Sequence, residues 1–149
     1  MNFGFVSEIN PLDSSTFEKI FLTFDVDWAS DFVLEYCIEL LYKAKRKVTW
    51  FATHQTPLLD RIREIPFFEL GIHPNFNPLL EGNFCYGNHY AKVLEYYLKI
   101  VPEAKVMRSH SLGLSSRILM EAQSMGITHE SNLCIPLVAA GGGVFEAFC

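Results

Sequence analysis

The apolar residues of this chain fall into short runs, each closed by polar residues and followed by a longer amphipathic stretch. Such alternation predicts successive β/α units. Ile20 to Phe24 is β-branched and aromatic and runs into acidic residues, which predicts a buried first strand. Asp31 to Lys47 predicts a helix with Phe32, Cys37, Leu40, Leu41 and Ala44 near one face and a basic end at Lys43, Lys45, Arg46 and Lys47 that suits the helix dipole. Val48 to Thr53 predicts the second strand, and Thr56-Pro57 opens a short helix through Ile65. Phe67 to Ile72 predicts the third strand. The stretch from Pro74 to Asn88, rich in Pro, Asn and Gly, predicts a loop long enough to carry function. Tyr90 to Val101 predicts a helix, Lys105 to Met107 a fourth strand, Ser115 to Ser124 a helix stopped by Gly126, and Ile127 to Glu130 a fifth strand. Leu137 to Cys149, with Gly141-Gly142-Gly143, carries neither pattern.

Repeated strands joined by helices imply an α/β fold with a parallel sheet, either open and doubly wound or part of a closed barrel. Periodicity does not choose between the two. A chain of 149 residues, 50% hydrophobic and 14% aromatic, has the material for one core, so residues 1–149 are expected to form a single domain. The net charge of −5, with no long basic run, excludes a phosphate-neutralising surface and hence nucleic acid as a partner. Met1 to Ser15 shows neither signal peptide nor membrane span, so a cytoplasmic location is expected. Cys37, Cys85, Cys134 and Cys149 have no C-x-x-C spacing and are expected to be reduced, mostly packed thiols.

In parallel α/β architectures, ligands gather at the carboxyl ends of the strands. The first predicted strand ends in Asp25 and Asp27, the second in His54, the third in His73, the fourth in Arg108 and His110, and the fifth in Glu130 and Asn132. Every predicted strand thus delivers an ionisable or metal-binding group to one rim. In an extended strand Asp25 and Asp27 would share a face, and two close carboxylates repel unless a proton or cation intervenes. Imidazole nitrogen with carboxylate oxygen suits a divalent metal, zinc first and iron or cobalt as alternatives.

These residues also carry a resemblance. Thr23-Phe24-Asp25-Val26-Asp27 resembles the first motif of the NodB-type polysaccharide deacetylases, and Val48 to Thr53 is similar to the Thr-Phe-Phe strand that follows it. Glu69-Leu70-Gly71-Ile72-His73-Pro74 resembles the approach to the second motif. Arg108-Ser109-His110-Ser111 falls where the family has an orienting Arg, and Gly126 to Asn132 resembles a later strand of the family. The match runs from about Ile20 to Pro136 and is nearest to deacetylase-like proteins of bacterial surface-polysaccharide gene clusters. The resemblance implies a partial TIM-like deacetylase barrel that removes acetyl groups from an N-acetylated sugar or polysaccharide. It implies Asp25 as the base held by Arg108, with Asp27 and His73 as metal ligands.

The sequence departs from the family in two places. Where the family has another metal-binding His four residues after the first, this chain has Asn77, which leaves His110 as the better third ligand, ahead of Asn77 and His54. The family also continues into further strands with an aromatic-walled pocket and a final His, so the chain is expected to be a truncated domain, with an exposed strand edge that favours homo-oligomers. Trp28 lines the site or packs in the core, and Glu130 and Asn132 are structural or line the substrate. Two other readings remain: a non-catalytic remnant or sugar-binding module, and, from Asp-x-Asp after an apolar strand, a haloacid-dehalogenase-type phosphatase. The latter expects Thr or Val where Ala29 stands.

Overall fold

The computed structural model describes residues 2–132. Its first strands, β1 (Asn2–Phe3) and β2 (Lys19–Ile20), pair in parallel as a small sheet of their own. The main sheet contains β3 (Leu22–Asp25), β4 (Val48–Ala52), β5 (Phe68–Ile72), β6 (Val106–Met107) and β7 (His129–Glu130). These five strands lie side by side in chain order, all parallel, and curl into a half-barrel. The partial barrel expected from the sequence is therefore the fold observed. The crossovers are helical: α1 (Asp31–Ala44), α2 (Leu58–Glu64), the short α3 (Asn77–Leu80) followed by α4 (Tyr90–Ile100), and α5 (Ser116–Ser124). Among the described residues no helix is long and apolar enough to cross a membrane.

Every residue of β4 is buried, as a central strand covered on both faces requires. Alternate residues face opposite layers. Val48, Trp50 and Ala52 join Ile38, Leu59, Leu70, Ile72 and the helices in the large outer core, where the Trp50 ring meets Phe24 at 5.2 Å and Phe68 at 5.5 Å. Phe51 points inward and packs with Val6 and Val106. The inner face is closed at its base by the N-terminal segment: the Val6 N–H donates to Thr49 Oγ1 (3.1 Å), and that hydroxyl donates to Glu69 Oε2 (2.6 Å). Gly71 lies where no side chain fits, since a Cβ there would stand 2.6 Å from Val106 Cγ2 and 2.8 Å from the Val106 carbonyl oxygen.

Several local expectations are corrected. Ile20 to Phe24 is not one strand, because Lys19–Ile20 pairs with β1 whereas Leu22–Asp25 pairs with β4. The first helix ends at Ala44, where Lys45 turns left-handed (φ 49°, ψ 48°), so Arg46 and Lys47 lie beyond it. Its buried residues are Leu34 and Ile38, with Cys37 and Leu41 packed beside them, while Phe32 and Leu40 are exposed. The correct stripe follows the 3.6-residue period through 34, 38 and 41 rather than through the bulkiest residue types. The predicted loop from Pro74 to Asn88 contains α3, with Pro78 in its first turn. Cys37 is half-buried and Cys85 exposed, both as free thiols. The stretch from Leu137 to Cys149, like Cys134, lies outside the described residues.

Candidate metal and catalytic site

The β3 ladder extends one residue past Asp25, through the Val26 N–H to the Phe51 carbonyl (3.0 Å), and the backbone then turns sharply. Asp27 (φ 44°) and Trp28 (φ 56°) are both left-handed, and the Ala29 N–H closes the turn on the Val26 carbonyl (2.9 Å). Asp25 and Asp27 therefore do not share a face of one extended strand as the sequence suggested. A turn separates them, and it sends Asp27 towards two imidazoles.

His73 follows β5, its N–H donating to the Ala52 carbonyl (2.8 Å), and is 2% exposed. His110 begins a 3₁₀ turn (His110–Leu112) after β6, its N–H tied to the Pro74 carbonyl (2.9 Å). Asp27 Oδ1 lies 3.3 Å from His73 Nε2 and 3.2 Å from His110 Nδ1. Asp27, His73 and His110 each present a donor atom, and these atoms lie within 4.8 Å of one another. Burial lowers the His73 pKa against the opposing pull of Asp25 and Asp27. A neutral imidazole is the form that binds metal. Its buried Nδ1 has no hydrogen-bond partner, with Asp25 Oδ1 3.9 Å away. Two imidazoles and a carboxylate, convergent and incompletely satisfied, fit a divalent ion of the zinc type and leave room for water and substrate.

Beside this cluster, Arg108 Nη1 donates to Asp25 Oδ1 (3.0 Å) and to Thr23 Oγ1 (3.0 Å). Its Nε donates to the Ser131 carbonyl (3.0 Å) and its Nη2 to Ser131 Oγ (2.8 Å), while the guanidinium lies over the Phe51 ring at 4.7 Å. A guanidinium held on so many sides fixes the aim of the Asp25 carboxylate.

Other candidates fall elsewhere. His54 Nδ1 pairs with the neighbouring Thr53 hydroxyl (3.0 Å), a turn contact rather than a place in the Asp27 cluster. Asn77, at the start of α3, donates through Nδ2 to Ser111 Oγ (3.1 Å) and so braces the turn that carries His110. Of the two roles left open for Glu130, its placement fits the structural one. It pairs in register with Met107, whose side chain is in the outer core, and lines a cavity with Leu119, Ala122 and Gln123 of α5. Residues in register on parallel strands point the same way, so Glu130 faces the helices while Ser131 reaches Arg108. Asn132 is 5% exposed and clamps the β6 and β7 ends, accepting from the Ser109 N–H (2.6 Å) and donating to Ser109 Oγ (3.2 Å). Sequence reasoning passed over Thr23, Thr53 and Ser131. Thr23 within β3 and Thr53 just after β4 alternate with apolar residues, a period-two signal that marks the inner face.

The WbmS-like polysaccharide deacetylase family matches residues 22–143, most of the chain. The chain belongs to this family. The matched segment begins at the first residue of β3, so the site lies inside it and the small N-terminal sheet outside. Deacetylase membership displaces the phosphatase reading of the Asp-x-Asp strand. A crystal structure from Bordetella bronchiseptica, of a protein assigned as a polysaccharide deacetylase involved in O-antigen biosynthesis, is similar with a TM-score of 0.86 and 42% identity. The similarity covers 93% of this chain and 57% of that one. No curated protein matches.

Proposed function

We propose that this protein is a metal-dependent deacetylase that hydrolyses the N-acetyl group of a sugar in surface-polysaccharide synthesis. The observation that carries this is the meeting of Asp27, His73 and His110 around one position beside an Asp25 already held by Arg108. The setting is suggested by the Bordetella relative, assigned to O-antigen biosynthesis.

Asp27, His73 and His110 would hold the ion, which when bound supplies a Lewis acid to the acetyl carbonyl and a more acidic water. Asp25 takes the proton of the attacking water, with Arg108 keeping its carboxylate aimed at that position. Burial favours the neutral form of His73 and holds its position, so the cluster needs little reorganisation as charge develops on the acetyl oxygen. Asn77 holds the His110 turn through Ser111.

The test is acetate release from N-acetylglucosamine oligomers and from UDP-linked N-acetyl sugars with zinc, iron or cobalt added, using Asp25→Asn as the control. Metal-dependent release by the wild type and none by the variant is expected. Equal release from both removes Asp25 from the mechanism. Metal binding without release from any N-acetylated sugar favours the sugar-binding module.

A further inference from the structure

Of the two consecutive left-handed residues, Asp27 and Trp28, only the first has an evident purpose, since its turn presents a carboxylate to His73 and His110. A bulky side chain in that region is a strained outlier that persists only where neighbours enforce it. The enforcing contact is visible: the Trp28 N–H donates to Oγ1 of Thr53 (3.0 Å), and Thr53 is 1% exposed. What the strained backbone delivers is a tryptophan left 41% exposed, in contrast to the 1% of Trp50. The exposed ring is also oriented, lying at 5.1 Å and 74° to the His110 imidazole. An aromatic ring is thus held against His110 at the edge of the cluster while its residue stays open to solvent.

We propose that Trp28 is the stacking platform for the pyranose ring of the N-acetylated sugar, a binding subsite built from the first β/α unit. This inference rests on the deacetylase reading for the nature of the ligand. One side of a pyranose is a nearly flat array of C–H groups, and an indole covers such a face with a large apolar area at the cost of ordering only two side-chain torsions. The contact of Trp28 with His110 sets the plate beside the cluster, so a sugar stacked on it carries its N-acetyl group towards Asp27, His73 and His110. The left-handed turn then serves both functions at once, aiming a ligand with one residue and a platform with the next.

The chain has two tryptophans, and the exposed one reports on the proposed site. Titrating the full chain with the N-acetylglucosamine tetramer should change its tryptophan emission saturably, and Trp28→Phe should abolish that change while binding the tetramer within about threefold of wild type by calorimetry. Trp28→Ala should weaken tetramer binding about tenfold, a contact worth about 1.4 kcal/mol, with zinc affinity unchanged. Flat emission in the wild type, or an unweakened Trp28→Ala, overturns the platform. Should Trp28→Ala fail to fold, the wild-type titration and Trp28→Phe still decide. Failure of the deacetylase reading looks different: a saturable emission response with no acetate released supports the platform and removes the reaction, whereas acetate release with flat emission removes the platform and leaves the reaction.

Discussion

The two ends of the half-barrel's inner face are built on opposite principles. At the base, Val6, Phe51 and Val106 pack together, Thr49 and Glu69 satisfy each other and the Val6 N–H, and the strands approach so closely that Gly71 has no room for a methyl group. At the rim, two consecutive residues are left-handed, a buried imidazole nitrogen lacks a partner, and a half-exposed carboxylate faces two histidines. The same strands supply both ends. Packing and satisfied hydrogen bonds at the base supply stability that the strained, unsatisfied rim draws on, so a substitution at one end should register in stability and at the other in chemistry or metal binding.

The sharpest separation comes from Asp25→Asn, which keeps shape and loses the base. Acetate release should fall by about a thousandfold with the melting temperature nearly unchanged. A large loss of melting temperature would mean that Asp25 belongs with the base and not the rim. His73→Ala removes a ligand at the centre of the cluster and should weaken zinc binding about a hundredfold by calorimetry, an effect of about 2.7 kcal/mol. Gly71→Ala attacks the base and should cost about 2 kcal/mol in denaturant unfolding, because backbone and not only a flexible side chain stands in the way. Metal affinity should survive in the folded fraction. Ser131→Ala removes one of the acceptors that fix Arg108 while the Ser131 carbonyl remains, and kcat should fall about tenfold without a change in zinc affinity.

The smallest effect belongs to the edge of the base. Burial alone would raise the Glu8 carboxyl, but its hydrogen bond with Lys47, the Phe5 N–H and the charge of Lys19 outweigh that and hold it below its ordinary value of 4.5. A carboxylate with a lowered folded pKa stabilises the fold above its ordinary value and loses that contribution as the pH falls through the folded one. Glu8→Gln should therefore cost under about 1 kcal/mol at neutral pH, and its difference from wild type should shrink in acid unfolding below pH 4.5.

Much of this arrangement was legible beforehand. The alternation of apolar runs with amphipathic stretches determined a parallel β/α sheet, because strand and helix periods are local properties of the chain. The acidic, imidazole and guanidinium residues at strand ends marked the rim, since a parallel sheet sends all its carboxyl ends one way. Sequence alone therefore placed Asp25, Asp27, His73, Arg108 and His110 at the carboxyl ends of strands that face one rim. It left Glu130 between a structural and a substrate-lining role, because a two-residue strand leaves its facing to the register with Met107, and register depends on the neighbouring strand. It also left the third ligand open among His110, Asn77 and His54. Spacing along the chain does not fix the distance between side chains on different loops. What brings His110 rather than the other two beside Asp27 and His73 is the turn at Asp27 and Trp28 and the Pro74 carbonyl that ties down His110, while Thr53 engages both Trp28 and His54. The contacts of Asp27 with His73 and His110, of His110 with Pro74 and of Thr53 with Trp28 join residues far apart in sequence, and only the folded sheet brings them within reach of one another.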